Sequence, residues 1–131
     1  MSAATDNAAV EAEVRQAVTT YAAALHGADA AALDTLCHDR FLMTCSEDGR
    51  TGTLDKAAFV ARVGGRDPFE GEADYSVVSL RVAGPEMAHA EIEVAVPPRR
   101  FRDYLGFLRA EGRWQLVTKL YRVEDGPAML G

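Results

Sequence analysis

FRDYLGFLRAEGRWQLVTKLYRV, residues 101–123, reads as two β-strands joined by a tight turn at Glu111-Gly112. A glycine in a two-residue connection takes the positive φ that the favoured hairpin turns demand. With Ala110 opposite Arg113, Arg109 faces Trp114, Phe107 faces Leu116, Leu105 faces Thr118, Asp103 faces Leu120 and Phe101 faces Arg122. Side chains alternate between the two faces of a strand. One face therefore gathers Phe101, Asp103, Leu105, Phe107, Trp114, Leu116, Thr118 and Leu120, with Asp103 its one carboxylate. The other carries Arg102, Tyr104, Gly106, Leu108, Gln115, Val117, Lys119 and Tyr121. A slip of one residue would exchange the faces, and the hydrophobic pattern opposes it.

Upstream, Met87–Val96 alternates Ala88, Ala90, Ile92, Val94 and Val96 against His89, Glu91 and Glu93, and Tyr75–Val82 alternates likewise. Gly84-Pro85 separates these two strands, and Pro97-Pro98 ends the second, since proline cannot serve the interior of a ladder. Further upstream the period changes. Val10, Val14, Ala17, Val18, Tyr21 and Leu25 recur every three or four residues and predict a helix from about Asn7 to His26, stopped by Gly27. Asp29 is the expected N-cap of a short helix to about Cys37, and Asp55 of another to about Val63. Phe41–Cys45 reads as a short strand and Ser46–Thr53 as a loop. Three helices followed by an antiparallel meander make an α+β domain, with the helices covering the apolar face. The expectation is one domain over residues 1–131, with 1–6 and 124–131 as loose tails.

The chain has 131 residues, 48% hydrophobic and 26% charged, with a net charge of −6. That balance argues against binding nucleic acid or an anionic membrane. No stretch approaches the ~20 apolar residues of a membrane span, and the N-terminus has no secretory pattern, so a cytoplasmic protein is expected. Cys37 and Cys45 have neither metal-ligand nor redox-motif spacing. His26, His38 and His89 are scattered, and no metal or cofactor is expected. Arg99, Arg100, Arg102, Arg109, Arg113, Lys119 and Arg122 crowd the C-terminal hairpin. They form either a solvated face or an anion-accepting pocket mouth.

Several short motifs carry a family likeness: Tyr21, Gly27-Ala28-Asp29 and Leu33, then His38-Asp39, Leu54-Asp55, and Gly84 with Ala88 and Ala90. Phe101–Leu105 and Gly112-Arg113-Trp114 running to Lys119 and Tyr121 complete it. From about Val10 to Val123 the chain resembles the nuclear-transport-factor-2-like superfamily and, within it, the family of putative lumazine-binding proteins. The resemblance implies a cone-shaped α+β fold, with three N-terminal helices packed on a curved, mostly antiparallel sheet. It also implies a pocket between sheet and helices and a homodimer formed through the sheet's outer surface. The superfamily holds isomerases, cyclases and dehydratases beside domains that only bind, so fold does not choose among them.

Asp103 carries the sharpest chemistry, because a carboxylate on an apolar face costs several kcal/mol unless it is paired or neutralised. Desolvation would raise its pKa into a range useful for acid–base work. The alternative is a structural carboxylate paired with Arg62, Arg40 or a backbone amide. The hydroxyl of Tyr21, on the buried stripe of the first helix, needs a partner, for which Asp103 or a ligand would serve. The expected pocket lining is Trp114, Phe101, Leu105, Phe107, Leu116, Thr118 and Phe59, and the expected dimer interface is Tyr104, Leu108, Val117, Lys119 and Tyr121. Three functions follow: a protein binding a small apolar or aromatic ligand, a cofactor-independent isomerase, cyclase or dehydratase working through Asp103 and Tyr21, or a structural dimerisation module. The sequence leaves catalysis open.

Overall fold

The computed structural model describes residues 3–130. Helix α1 (Ala3–His26) buries the predicted stripe, with Val14, Val18, Tyr21 and Leu25 all inside. The chain leaves it through Ala28, which takes the left-handed φ of 52° where Gly27 was the expected stop. Asp29 then caps α2 (Ala30–Leu36), its carboxylate accepting from the Ala32 amide at 3.0 Å. Asp55 does the same for α3 (Lys56–Gly64), accepting from the Ala58 amide at 2.9 Å. Helix α1 takes in all but the first two residues of the expected tail over 1–6, and those two lie outside the described residues.

Six strands form one curved, unclosed sheet: β1 (Cys37–Glu47), β2 (Arg50–Asp55), β3 (Tyr75–Ala83), β4 (Met87–Val96), β5 (Arg99–Ala110) and β6 (Arg113–Asp125). Their order is β2-β1-β6-β5-β4-β3, antiparallel throughout except where β1 runs parallel to β6. The sheet corrects two expectations. Ser46–Thr53 is mostly strand, because Asp48 and Gly49, at φ 50° and 77°, close a tight hairpin between β1 and β2. As an edge strand, β2 needs no apolar face, and its Thr-Gly-Thr composition hid it. That hairpin stands between α2 and α3, so the three helices are not one N-terminal block.

The third correction moves the site. At the β5–β6 turn Glu111 and Gly112 both take positive φ, and pairing follows the expected register from Ala110–Arg113 to Phe107–Leu116. Val117 is then an extra residue. Beyond it Gly106 pairs with Thr118, Leu105 with Lys119, Tyr104 with Leu120 and Asp103 with Tyr121. A bulge of this kind exchanges the faces of everything beyond it on the bulged strand. Lys119 and Tyr121, expected at an outer interface, are therefore buried on the inner face. Thr118, expected in the pocket, and Leu120 point outward and are exposed.

The chain end is also held. The Glu47 carboxylate accepts from the amides of Met129 and Leu130, while the Arg99 guanidinium donates to the carbonyls of Pro127 at 2.8 Å and Ala128 at 3.0 Å. Residues expected to trail away instead extend β6 to Asp125 and then pass from Arg99 of β5 to the β1–β2 hairpin, where Met129 and Leu130 pack against the core.

Candidate functional site

A cavity of about 300 Å³ opens between α3, the ends of β4–β6 and the returning C-terminal segment. Phe59, Val63, Met43, Phe101, Val96 and Met129 supply much of its apolar wall. Five charged side chains also line it: Arg62, Arg66, Arg99, Lys119 and Asp103.

Asp103 and Lys119 form the polar floor, backed by Tyr21, which does not itself border the cavity. The bulge at Val117 brings Lys119 round to the face that Asp103 occupies on the neighbouring strand, and the buried stripe of α1 lowers Tyr21 onto both. The Tyr21 hydroxyl donates to Asp103 Oδ2 at 2.5 Å, and Lys119 Nζ stands 3.7 Å from the same oxygen. Asp103 Oδ1 has no hydrogen-bond partner among the described residues. The ammonium is ringed by aromatics, 4.6 Å from the Phe59 centroid, 5.0 Å from Tyr121 and 5.3 Å from Tyr21. Cation–π attraction makes those rings a favourable lining for a desolvated cation.

Burial pushes the Asp103 carboxyl upward, against the pull of Lys119 and the Tyr21 hydrogen bond. Burial pushes the Lys119 ammonium downward, against the pull of Asp103. The Tyr21 hydroxyl is driven well up by burial and by the adjoining carboxylate, so it stays a donor. Asp103 has 0% of its surface exposed and Lys119 6%, so the carboxylate is roofed over and the lysine stands nearer the open space.

Of the pocket residues expected from sequence, only Phe59 and Phe101 border this cavity, along with Asp103. Trp114, Leu105, Phe107 and Leu116 are buried in continuous core instead. Tyr21 meets Asp103, but neither Arg62 nor Arg40 pairs with that carboxylate. Lys119 and Tyr121 were missed as site residues because the bulge leaves no mark in the alternation. One signal did exist: an inward aspartate demands a cation, and Lys119 lies one register step from the position opposite it. On the outer face, Tyr104, Leu108 and the half-buried Val117 remain where expected, joined by exposed Leu120 and Met87. Beside them Arg102 binds Glu91, Glu93 and Glu124 together.

Among the described residues no three His, Cys, Asp or Glu side chains converge as a metal site, and no helix is long and apolar enough to cross a membrane. Residues 9–122 match the model of the family described as putative lumazine-binding. No curated protein matches the chain. Among solved structures, an NTF2-like protein of unknown function from Silicibacter pomeroyi is similar with a TM-score of 0.79 at 26% identity, covering 86% of this chain and 94% of that one. Another of unknown function from Shewanella baltica gives 0.78 at 17%, covering 88% and 94%. A ketosteroid isomerase-like protein from Erwinia carotovora atroseptica gives 0.69 at 14%, covering 88% and 97%.

Proposed function

We propose, from the premise that this chain belongs to the putative lumazine-binding family, that it binds a small, largely apolar or aromatic molecule in the cavity above Asp103. The observation that carries this reading is the cavity itself. Its volume of about 300 Å³ lies at the lower end of small-molecule sites, its walls are mainly apolar, and a few charged side chains line it. The buried carboxylate is already engaged by Tyr21 and Lys119, which supports binding over turnover. A general acid or base must come within hydrogen-bond reach of the atom it serves, and Asp103, although it borders the cavity, exposes almost none of its surface.

A thermal-shift screen against polycyclic, pterin-like and steroid-like compounds tests the reading. A ligand at a hundred times its Kd stabilises the native state by about 2.7 kcal/mol, a rise of several degrees in Tm. Val63→Trp, which fills the cavity from α3, should abolish the rise. A shift that survives this filling places the ligand elsewhere.

A second reading has its own support. Asp103 Oδ1 lacks a partner among the described residues and burial raises the carboxyl, as an acid–base group of an isomerase, cyclase or dehydratase would require. Tyr21 would be the accompanying donor. Full turnover of any identified substrate by Asp103→Asn would eliminate it.

Assembly as a homodimer through the outer sheet face belongs to the same proposal. Tyr104 at 52% exposure and Leu120 at 55% leave an apolar surface on the side away from the helices, and twofold pairing is the commonest way to cover one. Tyr104→Glu with Leu120→Glu should give monomers in sedimentation with the fold intact. An unchanged mass counts against the face. A dimer together with a cavity that takes no ligand would favour a purely structural module.

A further inference from the structure

The cations at the cavity reverse the sign of the whole protein. The chain carries a net charge of −6, yet four of the five charged side chains lining the cavity are positive. Lys119 is matched by Asp103 at the floor, leaving the three arginines. Among the described residues none of the three is paired with a carboxylate within salt-bridge distance.

Each arginine keeps some capacity beyond its structural role. Arg66 lies against the Phe69 ring, 4.6 Å from its centroid, and donates from Nη2 to the Leu25 carbonyl at the end of α1. Its Nη1 is buried and has no partner among the described residues. Arg62, exposed on α3, has the Met129 sulfur, at 3.8 Å, as its one side-chain hydrogen-bond partner among the described residues. Arg99 holds the returning chain through two carbonyls. The neighbouring acid, Glu47, feels the Arg99 charge but is engaged first by the amides of Met129 and Leu130. A buried guanidinium nitrogen without a partner, as in Arg66, is costly, and the planar fork fits a carboxylate better than any other side-chain cation does.

We propose that the occupant is an amphipathic organic carboxylate. Its apolar body packs among Phe59, Val63, Met43 and Phe101, and its carboxylate sits at Arg62 and Arg66, with Arg99 adding charge from the start of β5. The inference rests on the cavity reading above and adds the class of molecule that enters.

Calorimetry with two probes of equal shape, naphthalene-2-acetate and its neutral amide 2-naphthylacetamide, separates the two ideas. Wild-type protein should bind the acid about tenfold more tightly than the amide. Raising the salt to about 0.5 M should weaken the acid and leave the amide unchanged. Arg62→Gln, at an exposed position, should narrow the preference to about threefold, and Arg62→Gln with Arg66→Gln should bring it close to unity. Because the acid-to-amide ratio is taken within each protein, any loosening around α1 that weakens both probes cancels. Equal affinity for the two in the wild type, or a preference undiminished in the double variant, overturns the carboxylate assignment while the cavity reading stands. If neither probe binds, the cavity reading fails and takes the assignment with it.

Discussion

Lys119→Met is expected to lower the unfolding free energy by about 3–5 kcal/mol at about pH 8, and by much less at about pH 4. Lys119 and Asp103 face each other with 7% and 1% of their side chains exposed, so removing one leaves the other buried with its charge uncompensated. Methionine keeps the unbranched stem and a favourable contact with the three surrounding rings, which isolates the charge from the packing. The sign follows from proton counting. Burial raises the Asp103 carboxyl above its unfolded value, and Lys119 is the foremost influence opposing that rise. Without it the folded pKa climbs further. Between the unfolded and folded values the native state then holds more protons than the unfolded chain, so stability falls as pH rises through that interval. Below the unfolded value the carboxyl is neutral in both states and that contribution is fully present. Urea midpoints across this range should show the gap between variant and wild type widening with pH. Adding Asp103→Asn should flatten the pH profile and restore most of the loss. A deficit equal at all pH values would mean that the pair is not electrostatic.

The helices and the meander were legible because each rests on a local signal. Asp29 and Asp55 cap where a short acidic side chain precedes an apolar period, and Glu111-Gly112 turns where paired positive φ is needed. Even the first four pairs of the C-terminal hairpin follow from that turn alone. What failed was non-local. Nothing in Leu116-Val117-Thr118 announces an extra residue, because Val and Thr suit either face of a strand and the bulge answers to the bend of the sheet. One inserted residue was enough to carry Lys119 and Tyr121 from the outer face, where they were expected, to the lining of the cavity. The strand Arg50–Asp55 was hidden for a related reason: an edge strand is stabilised by backbone pairing, which leaves no hydrophobic pattern to read. Arg62 and Arg66 lie close together at and just beyond the end of α3, but they share a cavity with Arg99 of β5 only after α3 docks on the sheet. Their unshared charge is a property of the fold.

Trp114 separates packing from binding in a way no other side chain does. It was expected in the pocket lining, yet it lies at the opposite end of the sheet from the cavity, where the hairpin tip is fastened to two helices. Arg109 reaches Glu13 of α1 at 2.7 Å, and Arg113 donates to the Thr35 carbonyl of α2. Between those anchors the indole is 8% exposed, and its Nε1 has no hydrogen-bond partner among the described residues. Trp114→Ala should therefore cost about 3–5 kcal/mol, since the cavity it leaves is held open by both fastened helices. That is a large share of the roughly 5–15 kcal/mol by which a domain of this kind is stable. Trp114→Phe keeps an aromatic ring and removes the unpartnered N–H, so its loss should be only about 1 kcal/mol. Neither change should alter the affinity for naphthalene-2-acetate by more than about twofold at a temperature where all variants are folded, because no atom of the site moves with the indole. Denaturation curves and probe titrations on the three proteins give both numbers. A tenfold loss of affinity in Trp114→Phe with stability intact would put the indole against the ligand and move the binding site to the hairpin end of the sheet.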